Sequence, residues 1–483
     1  MTPYITKSHI MTGLRCPKQL WLQTYNPELA QAASTSRKAI SNGVEIGVIA
    51  RQCYQTGRLV GHVQRPDLAV AETARLINED GDVPLFEGAF TYAGTLIRAD
   101  ILIPDVDDWR IVEVKSSGSV KKHHLADCAI QLWVAEGAGL PISKISIAHV
   151  NTGFVYAGDG DYEGLLVEED MTEQVRALLP EVPAWLALHR DTLAGNIPSV
   201  AMGAQCKPEC AFESLCKMDM PDYPVAILPN GRKLIDELIE AGIEDVRDIP
   251  DGRLRNERHI MVRQATLSQR AHIADELRQE LAQLPYPRFY LDFETINFVI
   301  PRWAGTRPHQ QLPFQWSCHI ERDGCSLEHI EFLSTSGEPP MRKFAESLIK
   351  AVELDGPIIV YGSFESTIIK GLMEFFPDLA PNLIELLDRL VNLLSLLQSY
   401  YYHPDMKGSW SIKAVLPTIA AHLDYKQLEE VQNGTMAQQA YLEIIAPATP
   451  ADVKARKVRN LLKYCESDTQ AMVEVVQFFS QCR

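Results

Sequence analysis

The chain has 483 residues, more than one hydrophobic core usually serves, so two or three domains are expected. Hydrophobic residues make up 46% and charged residues 23%, the balance of ordinary globular protein, and no apolar run approaches the length of a membrane span. With 63 acidic against 46 basic side chains the formal net charge is −17, which argues against a broad basic surface for nucleic acid but not against carboxylates gathered around a divalent cation.

The opening "MTPYITKSHIMTGLRCPKQL" lacks the apolar centre of a signal peptide. A reducing, cytoplasmic setting is therefore expected, with no membrane and with the 10 cysteines as thiols or metal ligands rather than disulfides. Cys16 stands alone in "GLRCPKQLWL". Residues 84–117, "PLFEGAFTYAGTLIRADILIPDVDDWRIVEVKSS", alternate apolar and polar positions with "PDVDDW" as a turn, the pattern of three strands. Asp100 follows the run "GTLIR", and Glu113 and Lys115 lie two apart on a strand, hence on one face. Two carboxylates on adjacent strands can hold Mg²⁺ or Mn²⁺, and a lysine beside them can orient water or stabilise charge developing on a phosphate. A D…ExK pattern by itself is common on amphipathic hairpins. Here the helix predicted over 121–137 follows it with Gln131, and "QCKPECAFESLC" (205–216) lies downstream.

That stretch supplies Cys206, Cys210 and Cys216, three of the four thiolates that a zinc or iron–sulfur site needs. The other thiols, such as Cys53, Cys128 and Cys318, are expected to be core residues. This arrangement resembles the PD-(D/E)XK nucleases of the RecB family, in particular the iron–sulfur branch that includes the AddB nuclease and CRISPR-associated RecB-like exonucleases. The resemblance implies a restriction-endonuclease-like mixed sheet, with Asp100 and Glu113 as metal carboxylates, Lys115 as the catalytic lysine and Gln131 as the glutamine of the helical motif. Glu87 is a weaker candidate for an accessory acid. It also implies a 4Fe–4S cluster held by Cys16, Cys206, Cys210 and Cys216, closing the domain on itself. Gly47, in "GVEIG", stands where that family carries a metal histidine, and Ala135 where a tyrosine often follows the glutamine.

Residues 221–285 are expected to be a helical connector, two short amphipathic patterns around a glycine turn in the style of a helix-hairpin-helix, with a plain packing role favoured. From 286 a second α/β unit is expected. In "FYLDFET" Asp292 and Glu294 share one strand face; "VYGSFESTII" adds Glu365; "YCESDT" adds Tyr464 and Asp468, four apart and so on one helix face. Each piece alone reads as solvated acid. The ordered set resembles the DnaQ-like, ribonuclease-H-like exonucleases of the DEDD class, with a mixed sheet covered by helices. That resemblance implies metal ligation by Asp292, Glu294, Glu365 and Asp468 and a water-positioning role for Tyr464. Glu365 replaces the usual aspartate, Asp388 is read as a supporting residue, and Ser411 and Lys413 fall in the helices of that fold. The aromatics of "QSYYYHP" (398–404) are expected in the core rather than stacked on bases.

The sequence is thus expected to be α/β with three segments: 1–220 RecB-like with a four-cysteine iron–sulfur site, 221–285 connecting, and 286–483 DnaQ-like. Such fusions form a bacterial family that the whole chain resembles. The implied function is a metal-dependent nuclease acting on DNA, single-stranded or at ends. The alternatives are a nucleic-acid-binding or scaffolding protein with degenerate sites, and an RNA-processing exonuclease.

Overall fold

The computed structural model describes residues 4–480 except 32–33, 55, 63, 80, 201, 203–205, 207–209, 219, 324–325, 353–354 and 421–429, and the side chains of 34–39 are left aside. The protein is mixed α/β and divides into two compact units, Met1–Met218 with Phe298–Gln310, and Asp219–Asn297 with Gln311–Arg483.

The first unit begins with helix α1 (Lys7–Arg15), whose cap Thr6 accepts from the His9 backbone N–H. Helix α2 (Ser34–Gln52) follows, then strands β1 (Leu85–Tyr92), β2 (Thr95–Asp105) and β3 (Asp108–Lys115). Helix α3 (Lys122–Gly137) crosses over to β4 (Ile142–Val150), and β5 (Leu166–Asp170) closes the run. These strands lie in chain order in a seven-stranded mixed sheet. β1–β2 and β2–β3 are antiparallel, β3–β4 is parallel, and β4–β5 is antiparallel. The two-residue strand Ile5–Thr6 joins the start of β2 in parallel, which fixes where α1 begins. α3 is buried nearly all round (Cys128, Ala129, Ile130, Leu132, Val134, Ala135), as a helix enclosed against a sheet must be.

Residues 298–310 fold with this first unit. The Tyr156 N–H donates to the Thr306 carbonyl at 3.1 Å, the Gly305 N–H to the Tyr156 carbonyl at 2.8 Å, and a His309 ring nitrogen meets the Ser116 carbonyl at 2.9 Å.

The second unit is built on β6 (Arg288–Ile296), β7 (Leu312–Glu321), β8 (Leu327–Leu333), β9 (Ile358–Val360) and β10 (Leu390–Asn392), in the order β8-β7-β6-β9-β10. β8–β7 and β7–β6 pair antiparallel, and the last two strands run parallel to β6. Helix α4 (Phe364–Phe375) follows β9, and helix α5 (Ala451–Ser480) ends the described chain. β6 is buried throughout except at Asp292, a largely apolar run interrupted by its two acids and Thr295.

The segment 221–285 does not stand apart as a connector. Its helix Arg232–Glu240 is amphipathic and turns Ile235 and Leu238 inward, and Val225, Val262, Leu277 and Leu281 share one core with Tyr290, Leu397, Met472 and Val476. Tyr401 and Tyr402 belong to that core, on a short strand rather than a helix. Cys128 and Cys318 are buried as expected, but Cys53 is exposed, because it lies just beyond the end of α2 where the chain turns at the surface.

Candidate active sites: two carboxylate clusters

In the first unit, antiparallel pairing sets β2 beside β3 and brings Asp100 next to the Glu113 segment, where Asp100 Oδ2 accepts from the Val114 N–H at 2.7 Å. Glu113 is buried, and both its oxygens are engaged. Oε1 receives Lys115 Nζ at 2.6 Å and Lys7 Nζ at 2.9 Å, and Oε2 receives Gln131 Nε2 at 2.6 Å. Asp127 sits one helical turn before Gln131 on α3 and so reaches the same place. It pairs with Lys7 at 3.0 Å and with Lys115. The four groups form a closed ring of alternating charge: Lys7, Glu113, Lys115, Asp127.

Electrostatics follow from this ring. Burial drives the Asp100 carboxyl upward, and the nearby Glu113 charge adds to the effect. Burial would also raise Glu113, but Lys7 and Lys115 outweigh it and hold the carboxyl well below the usual range. The same carboxylates keep both lysines charged against the pull of burial. A cavity of about 930 Å³ opens onto the ring, lined also by Gly43, Gly47 and Arg51 of α2 and by His123. A Cβ on Gly47 would meet nothing within 4 Å, so a side chain there would enter open space. Glu87 lines the cavity too, and pairs with Arg98 at 3.4 Å and Arg51 at 3.9 Å rather than with the carboxylates.

In the second unit, one carboxylate oxygen each of Asp292, Glu294 and Asp468 lies within 4.8 Å of the other two. Asp292 and Glu294 project from one face of β6, and Asp468 comes from α5. Glu365, in the first turn of α4 and buried, has an Oε2 atom with no hydrogen-bond partner, and it bears electrostatically on Asp292 and Glu294. Burial first, then mutual repulsion with Asp468 and Glu365, pushes Asp292 well above the carboxylate range. Burial and Asp468 push Glu294 up likewise, although Lys413 opposes the rise. Tyr464 lies one turn before Asp468. Burial and the charge of Asp468 raise its phenol, which stays protonated and can donate. Lys413 Nζ lies 3.4 Å from the Tyr464 hydroxyl, and the Cys465 thiol donates to Asp292 Oδ2 at 3.4 Å. Asp388 is exposed at the end of its helix.

A divalent cation suits the second cluster: three convergent and crowded carboxylates, Glu294 buried and the other two half-buried, with an unpartnered Glu365 oxygen beside them. The first cluster offers the same donor types, but its charge is already balanced by two ammonium groups. Cys16, Cys206, Cys210 and Cys216 are all half-buried thiols. Burial raises the Cys216 thiol, Lys18 lowers it, and the other three cysteines raise it further. Four sulfurs from two chain regions suit an iron–sulfur cluster or zinc equally.

Sequence reasoning overlooked Lys7 and Asp127. Asp127 was within reach, because it precedes Gln131 by one turn on the same helix. Nothing in "YITKSH" signals that Lys7 will enter the cluster, since that follows from the pairing of Ile5 with Thr95.

Residues 289–411 match a domain of unknown function, DUF2779, a stretch that contains Asp292, Glu294 and Glu365 and stops short of Lys413, Tyr464 and Asp468. The chain is similar to an uncharacterised protein, UU173, of Ureaplasma parvum serovar 3, at 27% identity over 227 residues. That alignment spans 41% of this chain and 32% of the relative, about a third of its length. Among solved structures, one titled "Crystal structure of SSO0001" aligns with 46% of this chain and 89% of its own at 17% identity, with a TM-score of 0.22, too weak a likeness to define a fold. Among the described residues no helix is long and apolar enough to cross a membrane.

Proposed function

We propose that the protein is a metal-dependent nuclease that hydrolyses phosphodiester bonds of DNA, single-stranded or at ends, with the second-unit carboxylate cluster as its principal site. The observation that carries this reading is the convergence of Asp292, Glu294 and Asp468 within 4.8 Å. Buried like charges at such separation are costly unless a cation neutralises them. Magnesium or manganese ions bound there would stabilise the attacking and leaving oxygens of the displacement. Asp292 and Glu294 hold one side of the site from a rigid strand, Asp468 the other from a helix, and Glu365 has the free oxygen to extend it. The protonated Tyr464 phenol donates a hydrogen bond towards the attacking water, and Lys413 adds positive charge where the phosphate would lie. A restriction-endonuclease-like site at Asp100, Glu113, Lys115 and Gln131 is the second nuclease centre of this reading, stapled by a 4Fe–4S cluster at the four cysteines.

A second reading, a nucleic-acid-binding protein whose first-unit site does not cut, is favoured by the full engagement of Glu113 and by the open space at Gly47. Matched single-stranded DNA, duplex DNA and RNA, labelled at one end, would be incubated with wild type, Asp292→Asn and Asp100→Asn in Mg²⁺ or Mn²⁺. The nuclease reading expects Mg²⁺- or Mn²⁺-dependent cleavage of DNA that Asp292→Asn abolishes. Binding without cleavage by wild type would overturn it in favour of the second reading, and cleavage of RNA alone would reassign the substrate.

A further inference from the structure

We propose that Lys7 is a tethered counter-ion of the first-unit cluster: its ammonium occupies the gap between Glu113 and Asp127 that a divalent cation would take, and it must leave before such a cation can bind. This rests on the reading that Asp100, Glu113 and Asp127 can ligate a cation at all. The geometry supports it in three ways. Lys7 Nζ touches Glu113 Oε1 at 2.9 Å and Asp127 Oδ1 at 3.0 Å, so it bridges the carboxylates contributed by β3 and α3. Gln131 holds the other oxygen of Glu113, so both oxygens of that carboxylate are engaged. Lys7 is the first residue of α1, directly after the paired strand Ile5–Thr6, and its ammonium is held by these two carboxylates. Its side chain is 19% exposed and lines the 930 Å³ cavity, so the ammonium has open volume to withdraw into.

Lys115 contacts the same two carboxylates and lines the same cavity, but it comes from the strand that carries Glu113, two residues along one face, whereas Lys7 reaches in from a separate element, the start of α1. In this proposal Lys7 is the member that yields. A cation displacing it would meet Glu113 Oε1 and Asp127 Oδ1, each freed of Lys7 though still paired with Lys115, with the Asp100 carboxyl beside them on the adjacent strand. Because the competing ammonium belongs to the same chain, it acts at fixed effective concentration and lowers the apparent metal affinity by the fraction of molecules in which it has moved away.

The test uses the full chain carrying Asp292→Asn and Asp468→Asn, so that the second cluster takes no cation, with Mn²⁺ binding read by electron paramagnetic resonance and calorimetry. Lys7→Gln is expected to bind one Mn²⁺ about tenfold or more tightly than its parent, the factor for a competent state populated at a tenth or less. Lys7→Arg keeps the charge and is expected to retain the weak affinity. Adding Asp100→Asn to Lys7→Gln is expected to remove the gain, which assigns it to this cluster. Equal affinity in the parent and Lys7→Gln overturns the counter-ion role while leaving a cation site in place. No binding in either overturns the underlying reading of a cation site as well. Should Lys7→Gln fail to fold, acetylation of Lys7 in the parent, followed by mass spectrometry, replaces it: Mn²⁺ is expected to increase labelling several-fold, and unchanged labelling at saturating Mn²⁺ overturns the proposal.

Discussion

Asp292→Asn is expected to stabilise the metal-free protein while removing its cation site. Asp292 faces Asp468, Glu365 and Glu294, and three of these four carboxylates crowd within 4.8 Å. Two full charges at that separation repel by about 3 kcal/mol at an effective dielectric constant of about 20. Because the acids escape part of this by holding protons, the net gain on removing one of them is smaller, about 1–3 kcal/mol at a pH of about 8. For a unit of this size that is a rise in midpoint of roughly 3–10 °C. Asparagine keeps the volume and can still accept from the Cys465 thiol, which donates to Asp292 Oδ2 at 3.4 Å.

The pH dependence has a definite sign. Glu365 is raised to about 7 and Glu294 to about 8, so the folded state holds protons that the unfolded chain releases. Stability from these groups is present at pH 4 and is lost as pH rises towards 8. Differential scanning fluorimetry from pH 5 to 8 in chelator should therefore show the wild type falling more steeply than Asp292→Asn. Adding Mg²⁺ should restore the wild type by about 3 kcal/mol at a hundred times its dissociation constant, and leave the variant unmoved. A variant less stable than wild type in chelator, or one that Mg²⁺ stabilises equally, would refute the view that these acids are held apart from their charge by the want of a cation.

Cys206→Ala should abolish the broad visible absorption and the bound iron and sulfide of anaerobically purified protein; a colourless wild type with stoichiometric zinc would instead make the cysteine site structural zinc. Arg288→Met should cost about 3–5 kcal/mol in chemical denaturation, because Glu321 is left as a buried charge with Tyr290 and Gln477 as its side-chain donors among the described residues, and a loss below about 1 kcal/mol would show that Arg288 does not matter to it. Burial, with the neighbouring His329, lowers His319 to about 4 against the opposing charge of Glu466, while Lys463 adds to the lowering. The unfolded chain therefore takes up the proton first, and stability worth roughly 3 kcal/mol is lost as pH falls from about 6.5 to about 4. His319→Asn should remove that part of the slope, and parallel wild-type and variant curves would exclude it.

Local periodicity made much of the second cluster legible in the sequence. An apolar strand interrupted by acids two apart declares that both leave by the same face, and Tyr464 and Asp468 share a helix face by their spacing of four. Glu365 could be ordered between them but not placed, since only the parallel pairing of β9 with β6 carries the start of α4 towards the acids. The three strands of residues 84–117 and the helix after them were legible for the same reason. What the sequence hides is long-range pairing. Lys7 lies 106 residues from Glu113, and a two-residue strand is too short to leave a pattern. The fold of 298–310 with the first unit is equally silent, because "PRWAGTRPHQ" reads as a loop and the residues that receive it lie near Ser116, Tyr156 and Tyr162. The 221–285 segment misled by its turns: short amphipathic helices look like a linker until their apolar faces are seen filling a core.

The two carboxylate clusters resolve one electrostatic problem in opposite ways. Each gathers acids in a largely buried place, where an unpaired charge is strongly destabilising. The first unit answers mainly with its own cations, so that Glu113 stays ionised beside Lys7 and Lys115, which also pair with Asp127, although burial still pushes Asp100 upward. In the second, Lys413 tempers Glu294, and the acids answer by rising towards neutrality. A protonated acid is a poor ligand but an available one: it exchanges a proton for a metal ion, and no ion pair has to break. An acid locked to two lysines must lose a salt bridge first. On these grounds the second cluster should load at lower metal concentration than the first, and its loading should release more protons near neutral pH than loading of the first. Calorimetry in buffers of differing protonation enthalpy separates the two events. Proton release that Asp100→Asn lowers only in part would place most of the exchange in the second cluster, and its loss in that variant would move the exchange to the first.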